Sequence, residues 1–150
     1  MKSTKKADGA GSNKVWVGVV GYCPPTRFDE AKAAEMIRDA YGKVAAQWPD
    51  GEIAVVSGMT DVGVLKIAYD EAARRGWMTI GVACSRAREH KLFPVDREIW
   101  AGSEWGDESP TFVEVIDAII RIGEGKQSMA ETALVKAKGL PAFEYELPRM

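Results

Sequence analysis

The sequence holds one histidine, His90, and two cysteines, Cys23 and Cys84. That scarcity excludes a disulfide framework and any Cys/His cluster with metal-ligand spacing, and it leaves a serine–histidine triad little to draw on. No apolar run approaches the roughly 18–20 residues that span a bilayer. The best candidate, Val15 to Val20, is far too short. An excess of one charge is missing as well. A net charge of -2 removes the electrostatic basis for bulk nucleic-acid binding. Recognition of one small phosphate remains open, because it needs only a few donors. The N-terminal MKSTKKADGAGSNK carries lysines but no apolar segment of a secretory signal. Residues 1–13 read as a disordered tail, and a cytoplasmic protein is expected.

What is present is a core. With 150 residues, 46% of them apolar, the chain has enough hydrophobic surface for one domain spanning residues 14–150 without disulfides or a structural metal. Val15 to Val20 is a short continuous apolar run, the pattern of a strand buried on both faces of a parallel sheet, and Ile53 to Val56, Met78 to Ala83 and Ala118 to Ile122 read as further strands. Further strands are expected near Glu98 to Ala101 and Phe143 to Tyr145. Between the runs, apolar residues fall at helical spacing: Ala33, Met36, Ile37, Ala40, Tyr41 and Val44, then Val62 to Arg75, then Ser128 to Lys138. Thr26 and Asp29 have capping-box spacing, and Ser109-Pro110 reads as a cap and first-turn proline. Strands alternating with helices through short loops predict a three-layer α/β fold, a parallel sheet with helices on both faces.

In such a sheet ligands bind beyond the carboxyl ends of the strands. Three segments leave a strand there through small or polar residues and enter a helix: Gly21-Tyr22-Cys23, Ser57 to Gly63, and Gly123 to Ser128. Glycines allow close approach of a backbone, and helix starts offer free N–H groups to a phosphate. Ser128-Met129-Ala130-Glu131 also fits a capping box, a reading compatible with a ligand contact.

Gly58-Met59-Thr60-Asp61-Val62-Gly63-Val64-Leu65 stands where a GGGxxGLMG-like turn would follow strand two. Gly123-Glu124-Gly125-Lys126-Gln127-Ser128-Met129-Ala130-Glu131 stands where a PGGxGTxxE motif would open a late helix. This pair resembles the loops of the Lonely Guy (LOG) family within the SLOG superfamily of Rossmann-like nucleotide-binding proteins. The resemblance implies a Rossmann-like fold, a nucleotide or ribose-phosphate ligand and a homodimer, with no additional cofactor. It implies phosphoribohydrolase (N-glycosidase) activity on a nucleoside monophosphate, with Glu131 as the catalytic carboxylate. Gly21, Tyr22, Ser57, Gly58, Thr60, Gly63, Gly123, Gly125, Lys126, Gln127 and Ser128 would hold the ligand. Arg86, just after strand three, is the cation placed for a phosphate.

The family's arginine motif, of MHxRK type, is absent; Gly106-Asp107-Glu108-Ser109-Pro110 occupies that region. A non-catalytic sensor or carrier of a nucleotide-derived ligand is therefore the alternative. Cys84 is expected to pack as a small apolar residue and His90 to face solvent. Trp100 and Trp105 are expected to pack in the core or at a subunit interface rather than to stack on a base, and Trp48, Trp77, Trp100 and Trp105, all near element ends, point to the homodimer.

Overall fold

The computed structural model describes residues 13–150; the tail expected over 1–13 lies, but for Asn13, outside them. Six strands form one sheet: β1 (Lys14–Gly21), β2 (Glu52–Ser57), β3 (Met78–Ala83), β4 (Arg97–Trp100), β5 (Ala118–Ile122) and β6 (Ala142–Tyr145). All neighbours are parallel, in the order β4-β3-β2-β1-β5-β6. The chain thus builds outward from β1 to β4, then returns to lay β5 against the other side of β1. That reversal is the switch point at which a crevice opens in an α/β sheet.

Side-chain alternation sorts the core into two layers. Val15, Val17 and Val19 of β1 face α1 (Glu30–Gln47) and α2 (Gly63–Arg74) through Ile37, Tyr41, Val44, Val64 and Tyr69. Trp16 and Val20 face the opposite layer, where Phe112, Val115 and Ile116 cover the sheet from α3 (Ser109–Val115) and the loop just beyond it, and Val135 from α4 (Lys126–Ala137). The expected three-layer Rossmann-like architecture is what the chain adopts.

Helix starts differ from the spacing-based expectations. Asp29 is itself the N-cap of α1, its carboxylate accepting from the Lys32 N–H at 3.1 Å, while Thr26 lies in the preceding turn. Glu108, not Ser109, precedes α3. Ser128 does not cap α4, because that helix already begins at Lys126 behind Gly125. Glu131 therefore sits in the second turn, too far along to reach back to a cap. For Thr26 and Ser128 the cause is shared: S/T-x-x-D/E recurs inside a helix or before it as readily as at its start, and only the backbone decides which.

Buried Arg121 ties β5 to the far edge. Its guanidinium meets Glu146 at 2.9 Å and Glu144 at 3.3 Å and donates to the Gly123 carbonyl, so it also fixes the start of the β5–α4 loop.

Candidate functional site

A cavity of about 550 Å³ opens at the carboxyl ends of β1, β2 and β3. Its floor is Val19, Val20, Val82 and Ala83; Met59, Leu65 and Phe112 form apolar walls, and Ser57, Gln127, Ser128 and Glu131 supply polar ones. The volume lies within the range of small-molecule sites, and the mix of apolar walls with a few polar groups is typical of them.

Seven of the residues expected from sequence border it: Gly21, Ser57, Gly58, Thr60, Gln127, Ser128 and Glu131. Ser57 donates its hydroxyl proton to the Val19 carbonyl at 2.7 Å, which leaves its oxygen as an acceptor only. Ser128 is 6% exposed and borders the cavity.

Tyr22, Gly63, Gly123 and Gly125 lie behind the wall rather than in it. The Tyr22 hydroxyl donates to the Leu147 carbonyl at 2.8 Å and accepts from the Glu124 N–H at 3.0 Å. Its ring fills the space beside Gly123, and its carbonyl accepts from the Val64 N–H at 2.9 Å, where Gly63 lets α2 approach. Tyr22 is thus a strut between two loops, and these two glycines make room for it. Lys126 is exposed and is not among the residues that line the cavity. Arg86 is engaged elsewhere, paired with Glu104 at 3.1 Å and Glu89 at 3.5 Å. Two carboxylates hold that cation, so it is not poised for a phosphate in this arrangement.

Other lining residues were not singled out in the sequence as site residues: Glu108, His90, Lys91 and the apolar Met59, Leu65 and Phe112. Trp105 was singled out only for packing or stacking, and it stands 51% exposed at the cavity. Cys23 lines the cavity too, but burial pushes its thiol up to about 11, so it is not an activated nucleophile. Cys84 is fully buried, as expected, yet it also borders the cavity.

Glu131 is the most constrained polar group. It is 5% exposed, and its Oε2 accepts from the Ser109 hydroxyl at 2.6 Å and from Gln127 Nε2 at 3.2 Å. Nothing among the described residues bonds Oε1. Burial raises its pKa, the nearby Glu108 charge adds to that, and the two hydrogen bonds offset only part. A raised folded-state pKa contributes stability that is full below the unfolded carboxylate range and is lost as pH rises through the folded value. Glu131→Gln should therefore unfold at higher urea than wild type near neutral pH, and the two curves should converge in mild acid.

Helix starts complete the site. Neither α2, behind Val62, nor α4, behind Gly125, has a side-chain cap, whereas α1, away from the cavity, does. Apart from the Val64 N–H, which the Tyr22 carbonyl already accepts, their first-turn N–H groups remain for a ligand or solvent.

Solved structures show the same arrangement of strands and helices. The chain shares the fold of a molybdenum cofactor carrier protein. That protein, from Chlamydomonas reinhardtii, superposes with a TM-score of 0.68 at 22% identity, over 87% of this chain and 76% of its own. The molybdenum cofactor binding protein of Rippkaea orientalis gives 0.68 at 24% identity over the same shares, 87% and 76%. No family model matches the sequence, and no curated protein sequence matches it at a significant level. The Rossmann-like fold implied by the loop resemblance is thus present.

Proposed function

We propose that this protein binds and carries a phosphorylated heterocycle of nucleotide type in the cavity at the carboxyl edge of its sheet. One observation carries the reading: two uncapped helix starts, α2 and α4, flank a single cavity with apolar walls. An anion at the α2 start meets free N–H groups and the positive end of that helix dipole, while the apolar walls take a ring. The molybdenum cofactor belongs to the candidate ligands, since structures of the same fold are named for carrying or binding it.

A carrier is favoured over a hydrolase by the state of Glu131. Its Oε2 is tied to Ser109 and Gln127, and the lining contains no arginine among the described residues to pair with a developing charge. The hydrolase reading retains one point in its favour: a buried carboxyl with raised pKa and a free Oε1 is a competent general acid. Thermal-shift and chromatographic assays separate the two. A nucleoside monophosphate at 100 times its dissociation constant should stabilise the fold by about 2.7 kcal/mol and be recovered intact. Release of free base by wild type, abolished in Glu131→Gln, would instead establish the hydrolase. A panel of nucleotides and ribose phosphates that moves nothing at millimolar concentration would sink the binding site itself.

The protein is also proposed to act as a homodimer, through a face other than the tryptophans. Trp48 packs on the core, Trp77 tilts against Tyr41, and Arg88 covers Trp100 at 3.7 Å. Helix α4 instead presents Met129 at 46% and Leu134 at 52% exposure, with Ala130, Ala133 and Ala137 around them. Light scattering should give twice the chain mass for wild type at tens of micromolar and the single mass for Leu134→Glu. A wild-type monomer would refute this.

A further inference from the structure

Within the binding reading just given, we infer that Trp105 is the stacking platform for the ligand's ring, and that the ring offers an N–H donor edge of guanine or pterin type to Gln127 and Glu131.

Trp105 is a large apolar side chain left half exposed on a turn whose backbone is pinned. Asp107 Oδ2 accepts from the N–H groups of Ser103 at 3.1 Å and Glu104 at 2.9 Å, and the Asp107 N–H donates to the Glu104 carbonyl at 3.0 Å. Glu104 is anchored in turn by Arg86. Among the described residues the indole has one ring neighbour, His90, with centroids 5.6 Å apart at 53°. A fixed pedestal thus holds an incompletely covered ring beside the cavity, which is the arrangement that stacks a planar heterocycle without ordering the chain on binding.

Hydrogen-bond valences in the adjoining corner specify the edge. Gln127 Nε2 has two protons, and three acceptors surround it: Ser109 Oγ at 3.1 Å, Glu108 Oε2 at 3.2 Å and Glu131 Oε2 at 3.2 Å. Its donors are spent, and its Oε1 remains. The one Ser109 hydroxyl proton goes to Glu131, and Glu131 Oε1 remains. Glu108 Oε1 already accepts from the Gly106 N–H at 3.0 Å. The side chains left open here are acceptors, except for the Ser128 hydroxyl, which adapts to either role. A phosphate, itself an acceptor, is repelled from the corner, which leaves it the α2 start, where Thr60 and Lys91 line the cavity and Lys91 also pairs with Asp61 at 3.4 Å. A ring with adjacent ring N–H and amino donors fits, as in guanine and pterins. Adenine pairs its amino donor with a ring acceptor and fits less well.

Calorimetric titration of wild type, Trp105→Ala and Trp105→Phe with GMP, neopterin monophosphate, AMP and ribose 5-phosphate tests this. GMP or the pterin should bind wild type more tightly than AMP. Trp105→Ala should weaken that binding roughly ten- to hundred-fold, Trp105→Phe much less, and ribose 5-phosphate should be indifferent to both changes. An affinity for the ring ligands that Trp105→Ala leaves within twofold, or an equal loss for ribose 5-phosphate, overturns the platform. AMP binding as tightly as the other two overturns the donor-edge assignment. Failure of all four ligands overturns the cavity reading beneath it, which is a distinguishable result.

Discussion

Gly63→Ala should lower folding stability by about 2–4 kcal/mol, and Gly76→Ala by only about 1 kcal/mol. Both residues have positive φ, +61° at Gly63 and +73° at Gly76, so both substitutions place an L side chain in the left-handed region. The difference lies in what the new methyl meets. At Gly76 nothing lies within 4 Å. At Gly63 it would stand 2.9 Å from the Cys23 Cα and closer still to the Tyr22 carbonyl oxygen. Those are backbone atoms at the end of β1, held by the Val64 N–H and by the sheet, and they cannot turn aside as a side chain would. Urea denaturation of the two variants reads the comparison directly, provided the slope of each transition stays at the wild-type value. Equal losses would mean that φ alone matters and that the approach of α2 to β1 is not tight.

Phe112→Ala should cost roughly 3–5 kcal/mol, and Phe112→Leu about 1 kcal/mol. The ring is 4% exposed and packs on the side of the sheet where Gly18 leaves room; a Cβ at Gly18 would lie 2.7 Å from the ring tip. Because Phe112 also lines the ligand cavity, its loss opens the wall as well as the core. The alanine variant should therefore show two defects: a lower urea midpoint and a smaller ligand-induced thermal shift. Retention of the full shift in a destabilised Phe112→Ala would show that the ligand sits away from α3.

The sheet was legible because its strands are buried on both faces. Runs such as Met78 to Ala83 and Ala118 to Ile122 are apolar but for one polar residue each, Thr79 and Arg121, and both carry the expected bounds. The candidate site was legible only in part. Gly123 was read as a place for ligand to approach the backbone, but the group that approaches it is the Tyr22 ring, from a residue 101 positions earlier. Local spacing holds no record of that partner. Trp105 and Glu108 lie between β4 and α3, in a stretch without helical or strand period, where no pattern says which side chains turn inward. The available signal there was chemical: a tryptophan in a polar, glycine-flanked turn running directly into Asp107-Glu108-Ser109-Pro110.

The return of β5 to the inner side of β1 also has a kinetic meaning. As the chain leaves the ribosome, β1 to β4 can pair in sequence, but the second edge of β1 stays open until Ala118 to Ile122 has been made. Val15, Val17 and Val19 make that strand strongly apolar, and an unpaired apolar strand is a template for joining other chains. Translation stalled or cut between β4 and β5 should therefore yield an aggregating fragment, with soluble protein appearing only once β5 can close the gap.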